Sequence, residues 1–140
     1  MAARPLRGST RRALQPIESW REGADKVEAL AGKVSAALAA GKLAPARRHF
    51  AAYQKLLLAH LAREEDVAFP AAEKLVPSQG GPIRSLRVAH IGIRRDLEQI
   101  SAQLERGHAE AAKAVFAAFL EAFASHERLE DQLVELLQKS

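Results

Sequence analysis

The chain has no cysteine. Disulfides, thiolate catalysis and iron-sulfur clusters held by this chain are therefore excluded, and any metal must sit on nitrogen and oxygen ligands. No apolar run approaches the roughly 18 residues that span a bilayer, so no membrane contact is expected, and the N-terminus lacks the apolar stretch of a secretory signal. The pair Arg11-Arg12 could open a twin-arginine export signal, but Glu18, Arg21, Glu22, Asp25 and Lys26 stand where apolar residues should follow. A cytoplasmic protein is the expectation. Strand signals are missing too, because β-branched residues are few and scattered while Ala, Leu, Glu, Arg and Lys dominate. No Ser-His-Asp pattern, phosphate-cradling glycine loop or nucleic-acid motif is present.

The net charge of +4 is local. Arg4, Arg7, Arg11 and Arg12 fall within the first 16 residues, which hold no acid, and without them 17 bases face 17 acids. Residues 1–15, with Pro5, Gly8, Ser9 and Thr10, read as a flexible basic arm. A nucleic-acid partner is not expected, and contact of the arm with a protein partner is left open. Residues 16–140 fit one domain, and a chain that is 48% hydrophobic overall has enough apolar residues for a core.

That domain reads as all-α, an up-down-up-down antiparallel four-helix bundle. A first helix from about Pro16 to Ala40 carries Ile17, Trp20, Ala24, Val27, Ala31, Val34 and Leu38 at three-four spacing, and Gly41 ends it. A second starts near Pro45, with Tyr53, Leu56, Leu57, His60, Leu61, Glu64 and Val67 on its inner line. Pro70 kinks or stops it, and Ala71 to Leu75 could add a turn. Pro77 to Gly81 is the long connection, and Pro82 suits the first turn of the third helix. Its seam is Ile83, Leu86, His90, Ile93, Leu97, Ile100 and Leu104, closed by Gly107. The fourth places Ala112, Phe116, Phe119, Phe123, His126, Glu130, Leu133 and Leu137 inward.

Five of these inward positions are polar: His60, Glu64, His90, His126 and Glu130. Residues i and i+4 share a helix face, so His60-x-x-x-Glu64 and His126-x-x-x-Glu130 each aim an imidazole and a carboxylate at one point. Reflecting His90 through the turn near Gly107 lands beside His126, and reflecting His60 through the 69–82 region lands beside His90. Three histidines from three helices thus fall in one layer, with both carboxylates one turn away toward the same end, about 6 Å. Burying such groups unpaired would cost several kcal/mol, so they need a common partner. Imidazole and carboxylate without sulfur suit iron, manganese or zinc; two carboxylates able to bridge fit a dinuclear iron centre, and a single zinc also fits. The other reading is a buried polar network without metal.

These residues carry a resemblance. The run from Leu58 to Pro70, in which His60-x-x-x-Glu64 leads into Phe69-Pro70, together with Leu86 to His90 and Phe119 to Glu130, resembles the hemerythrin-like, or HHE cation-binding, domains over roughly residues 16–138. Ferritin-like bundles instead use Glu-x-x-His with further glutamates, a pattern absent from the inward lines here. The resemblance implies a non-haem di-iron site with Glu64 and Glu130 bridging and His60, His90 and His126 as terminal ligands. It also implies reversible binding of dioxygen or nitric oxide, redox sensing or iron handling. Binding is the first expectation and catalysis the second, an oxidase or peroxidase side activity being the enzymatic alternative. The rival from another class is a metal-poor bundle kept as a protein-interaction or regulatory module.

One position departs from the family. Such domains place a further histidine on the first helix, which by the resemblance would share one iron with His60, and this chain has Ala24 there. An open coordination position, a carboxylate substitute such as Glu28 or Asp25, or a site loading one metal or none would follow. His49 reads as partly buried near the bundle end and His108 as solvent-facing. Glu65 could support a ligand, Arg94 should reach a carboxylate or solvent, and Tyr53 and Trp20 read as core or pocket wall able to hydrogen-bond a ligand.

Overall fold

The structure, a computed structural model, describes residues 16–139. The basic arm expected at 1–15 lies outside the described residues. No strand occurs among those described; the elements are α1 (Ala24–Ala39), α2 (Leu43–Arg63), α3 (Phe69–Leu75), α4 (Gly80–Glu105) and α5 (Ala109–Gln138). The four long helices close a ring, with α1 packed on α2 and α5, and α4 packed on α2 and α5. Three-residue turns join α1 to α2 and α4 to α5, so those neighbours run antiparallel.

In α4 and α5 the seam residues expected from spacing are the buried ones, from Ile83 to Leu104 and from Ala112 to Leu137. The interior forms two apolar clusters. The longer one includes Val34, Leu57, Leu61, Leu97, Ile100, Phe116 and Phe119. The shorter one gathers Ile17, Trp20, Phe69, Ile83, Leu86, Leu133 and Leu137 at the other end. Each fully buried Leu or Phe contributes about 1.5–3 kcal/mol, so these clusters hold the ring together. Between them lies a layer of buried charged and polar side chains.

Three departures from regular helix surround that layer. The first helix is not continuous from Pro16: residues 16–18 form one helical turn, 19–23 a turn, and α1 begins only at Ala24. Gly23 stands at φ 87°, a left-handed conformation that glycine adopts without penalty. Side-chain spacing alone conceals such a break, because apolar residues lie on both sides of it. The second is a π-helical turn, Glu64–Ala68, between α2 and α3. Pro70 has no N–H and its ring would collide with the carbonyl of residue 66 in an α-helix; widening the preceding turn relieves this. The N–H of Phe69 accordingly donates to the carbonyl of Glu64, five residues back. Phe69 is fully buried in the core, whereas Val67, expected on the inner line, is 45% exposed. The third departure is short: Pro77–Gln79 is a 3-10 turn running straight into α4, so the connection expected through Gly81 is already helix.

Candidate metal centre

Four side chains meet in the layer. Glu64 comes from the start of the π-turn, His90 from the middle of α4, and His126 and Glu130 from consecutive turns of α5. Each offers a ligand atom within 4.8 Å of the others, and each is at most 6% exposed. His90 Nε2 lies 3.2 Å from Glu64 Oε1, and His126 Nε2 lies 2.6 Å from Glu130 Oε1. Neither contact has the alignment of a hydrogen bond, so Glu64 Oε1 and both Nε2 atoms are buried polar atoms without a hydrogen-bond partner. Two donors each about 2.1 Å from a common ion stand roughly 3 Å apart. The observed separations straddle that value.

The outer partners orient these donors. His90 Nδ1 lies 2.6 Å from Glu65 Oε2, and Arg94 grips the same carboxylate with two hydrogen bonds of 2.7 and 2.8 Å. Arg94, and after it His90, holds the Glu65 carboxyl below its ordinary range, so it is an anion that accepts the Nδ1 proton of His90. That tautomer leaves a lone pair on Nε2, facing the layer, which is how histidine is prepared to bind a metal. Burial, with His90 as the second cause, pushes His126 down to about 4 and keeps it neutral. A neutral imidazole is the form that ligates. Phe69 and Phe123 pack beside the two imidazoles, with ring centroids 5.3 and 6.1 Å away.

Trp20 reaches the layer from the turn before α1. Its indole N–H is shared between Glu64 Oε2 at 2.6 Å and Glu130 Oε2 at 2.7 Å. Residues 19–23 form a turn that ends at Gly23, before α1 begins. Arg21 anchors this turn to α5 through Glu127 and, at 2.9 Å, through Asp131. Trp20 was expected as pocket wall with a possible hydrogen bond; nothing in linear spacing marked it as a donor to both carboxylates.

Of the five residues expected in the site, the structure brings four together and leaves His60 at the edge. His60 Nε2 lies 3.7 Å from Glu64 Oε2, but His60 is outside the group of four mutually close donors. Burial lowers its pKa, so it too is neutral. Ala24 lies in a groove with Tyr53, Phe123 and Glu127, and the suggested substitutes Asp25 and Glu28 are exposed, outside the donor group. Glu65 and Arg94 take the supporting roles open to them. His49 is partly buried and His108 exposed, as expected. Tyr53 is buried with an unpartnered hydroxyl, and burial raises its pKa further from ionisation.

A cavity of about 360 Å³ opens between α4 and α5, walled by Leu86, Ala89, Leu129 and Leu133 and reaching His126. Its lining is mostly apolar. No described helix is long and apolar enough to cross a membrane.

The donor set fits a cation on its own chemistry: two buried carboxyl groups and two buried imidazoles converge with three of their polar atoms unpaired, and the one shared N–H reaches none of the three. Comparison with known proteins agrees. Neither a search of curated proteins nor one of solved structures gives a match. The family described as hemerythrin HHE cation binding domain matches residues 15–136, nearly the whole chain and every residue of the layer. By that match the chain belongs to the hemerythrin HHE cation-binding domain family.

Proposed function

We propose that this protein binds iron through Glu64, His90, His126 and Glu130, and uses it to bind or sense dioxygen, nitric oxide or redox state. The observation that carries the reading is that Glu64, His90 and His126, which hold three buried atoms with no hydrogen-bond partner, offer ligand atoms within 4.8 Å of one another. Orphaned buried polar atoms are costly, and a cation relieves all three at once. Two nitrogens and two oxygens without sulfur suit iron or manganese, with zinc compatible. Iron is favoured because it alone of these pairs redox chemistry with affinity for diatomic ligands.

The chain's residues then have separate tasks. His90 is oriented by Glu65 and Arg94, and His126 is kept neutral by burial. Leu86, Ala89, Leu129 and Leu133 line an apolar approach to His126, which admits a small uncharged ligand and disfavours ions. When bound, a ferrous ion with protein donors in only some of its positions supplies a place for a diatomic ligand. Binding precedes any catalysis in this reading.

Metal analysis of protein grown with iron tests it. Iron near one or more per chain is expected, along with spectral changes on adding nitric oxide to the reduced protein. His126→Ala should lower metal affinity by at least about 100-fold, since removing even an outer partner costs 10–100-fold. Wild-type protein that holds no metal after loading would sink the reading and favour a bundle retained as an interaction module.

A further inference from the structure

The two oxygens of each layer carboxylate face different partners. The Oε1 atoms face imidazoles, Glu64 toward His90 at 3.2 Å and Glu130 toward His126 at 2.6 Å. The Oε2 atoms face Trp20, whose Nε1 lies 2.6 Å from one and 2.7 Å from the other. The unsatisfied Nε2 atoms and Glu64 Oε1 all belong to the first face, and both Oε2 atoms have a hydrogen-bond donor. We infer that the indole N–H of Trp20 fills the place of a second cation between Glu64 and Glu130, so that each chain loads one metal ion, on the Oε1 face. This rests on the metal reading proposed above and adds its stoichiometry and the residue that sets it.

The Oε2 face is poor in ligands. His60 Nε2, 3.7 Å from Glu64 Oε2, is the imidazole there. Ala24 offers no lone pair, and Asp25 and Glu28 are exposed. An indole N–H is a donor only and cannot bind a metal. A cation bridging the two Oε2 atoms would stand about 2.1 Å from each, the space in which the indole hydrogen now lies. Displacing it is obstructed, because Trp20 is 2% exposed, meets Phe69 edge to face at 5.3 Å, and is held by the Arg21 anchor next to it.

Trp20 is the single tryptophan, so its indole reports on this contact without ambiguity. The test loads metal-free protein with excess zinc(II), and separately with iron(II) without oxygen, then measures bound metal per chain after desalting. The side-chain indole N–H resonance is followed through the zinc titration. One ion per chain is expected, with the indole resonance kept at low field and protected from exchange at saturation. Two ions per chain, or an indole proton that loses its hydrogen bond as metal enters, would overturn the inference while leaving the metal reading standing. No bound ion would overturn both. Trp20→His, which exchanges the donor for a ligand, should raise the count to two, and adding His60→Ala should return it to one. His60→Ala alone should leave the wild-type count at one. Loss of that ion in His60→Ala would overturn the assignment to the Oε1 face. If Trp20→His does not fold, the wild-type count and the indole resonance decide the matter alone.

Discussion

The two ends of the bundle are built differently. In the longer cluster, from Val34 through Phe116, every seam residue sits on a regular helix, and along α4 and α5 the positions expected from spacing are the buried ones. Around the shorter cluster the backbone leaves the α-helix at residues 19–23, at Glu64–Ala68 and at Pro77–Gln79. The first two departures aim a group at the layer: Trp20 from the turn, Glu64 and Glu65 from the π-turn. Regular periodicity makes a stable interior, and broken periodicity makes a site. π-turns are often found where function requires a side chain to be re-aimed, and here Pro70 supplies the local cause.

Substitutions can break that contrast. Phe116→Ala, in the regular half, should cost about 3–5 kcal/mol, because the ring is 1% exposed and packs against Phe50 and Tyr53. Chemical denaturation of metal-free and metal-loaded protein should show the same loss. A loss confined to the loaded form would mean that the regular half is not a separate source of stability. Glu65→Gln should act in the opposite manner. It weakens the grip of Arg94 and the orientation of His90, so metal affinity should fall about 10–100-fold while the metal-free protein keeps its stability within about 1 kcal/mol. Competition with a chelator measures the first quantity and a denaturant curve the second. Gly23→Ala should have the smallest effect, about 1–2 kcal/mol, since a left-handed φ of 87° is strained for alanine although no atom blocks its Cβ. A shift in the emission of Trp20 should accompany it, because the turn positions the indole; unchanged emission would separate the turn from the site.

Much of the site was legible in linear order. The heptad-like seams of α4 and α5 placed His90, His126 and Glu130 inward, and equal distances from the Gly107 turn brought His90 level with His126. Pro70 was read as a kink, but its effect was not followed through: the extra residue in the wider turn buried Phe69 and turned Val67 outward. The first helix differs more from its expectation of continuity. Trp20 and Ala24 fit a three-four spacing across the turn that ends at Gly23, and periodicity records which residues are apolar without recording whether the backbone between them is helical. Reflection through the 69–82 region sets His60 level with the layer, and its Nε2 lies 3.7 Å from Glu64 Oε2; reflection compares heights only, so it does not reveal that His60 stands outside the four mutually close donors.

By itself, then, the amino-acid order determined the helices, the faces they bury and the donors available, because those depend on a 3.6-residue repeat and on side-chain chemistry within a few residues. The tertiary structure alone decided that Trp20 would span both carboxylates and that His60 would stand outside the four close donors. The physical reason is directional. A hydrogen bond or a ligand bond depends on tenths of an ångström between groups 44 to 110 residues apart in the chain, and those distances exist only once α1, α2, α4 and α5 have packed.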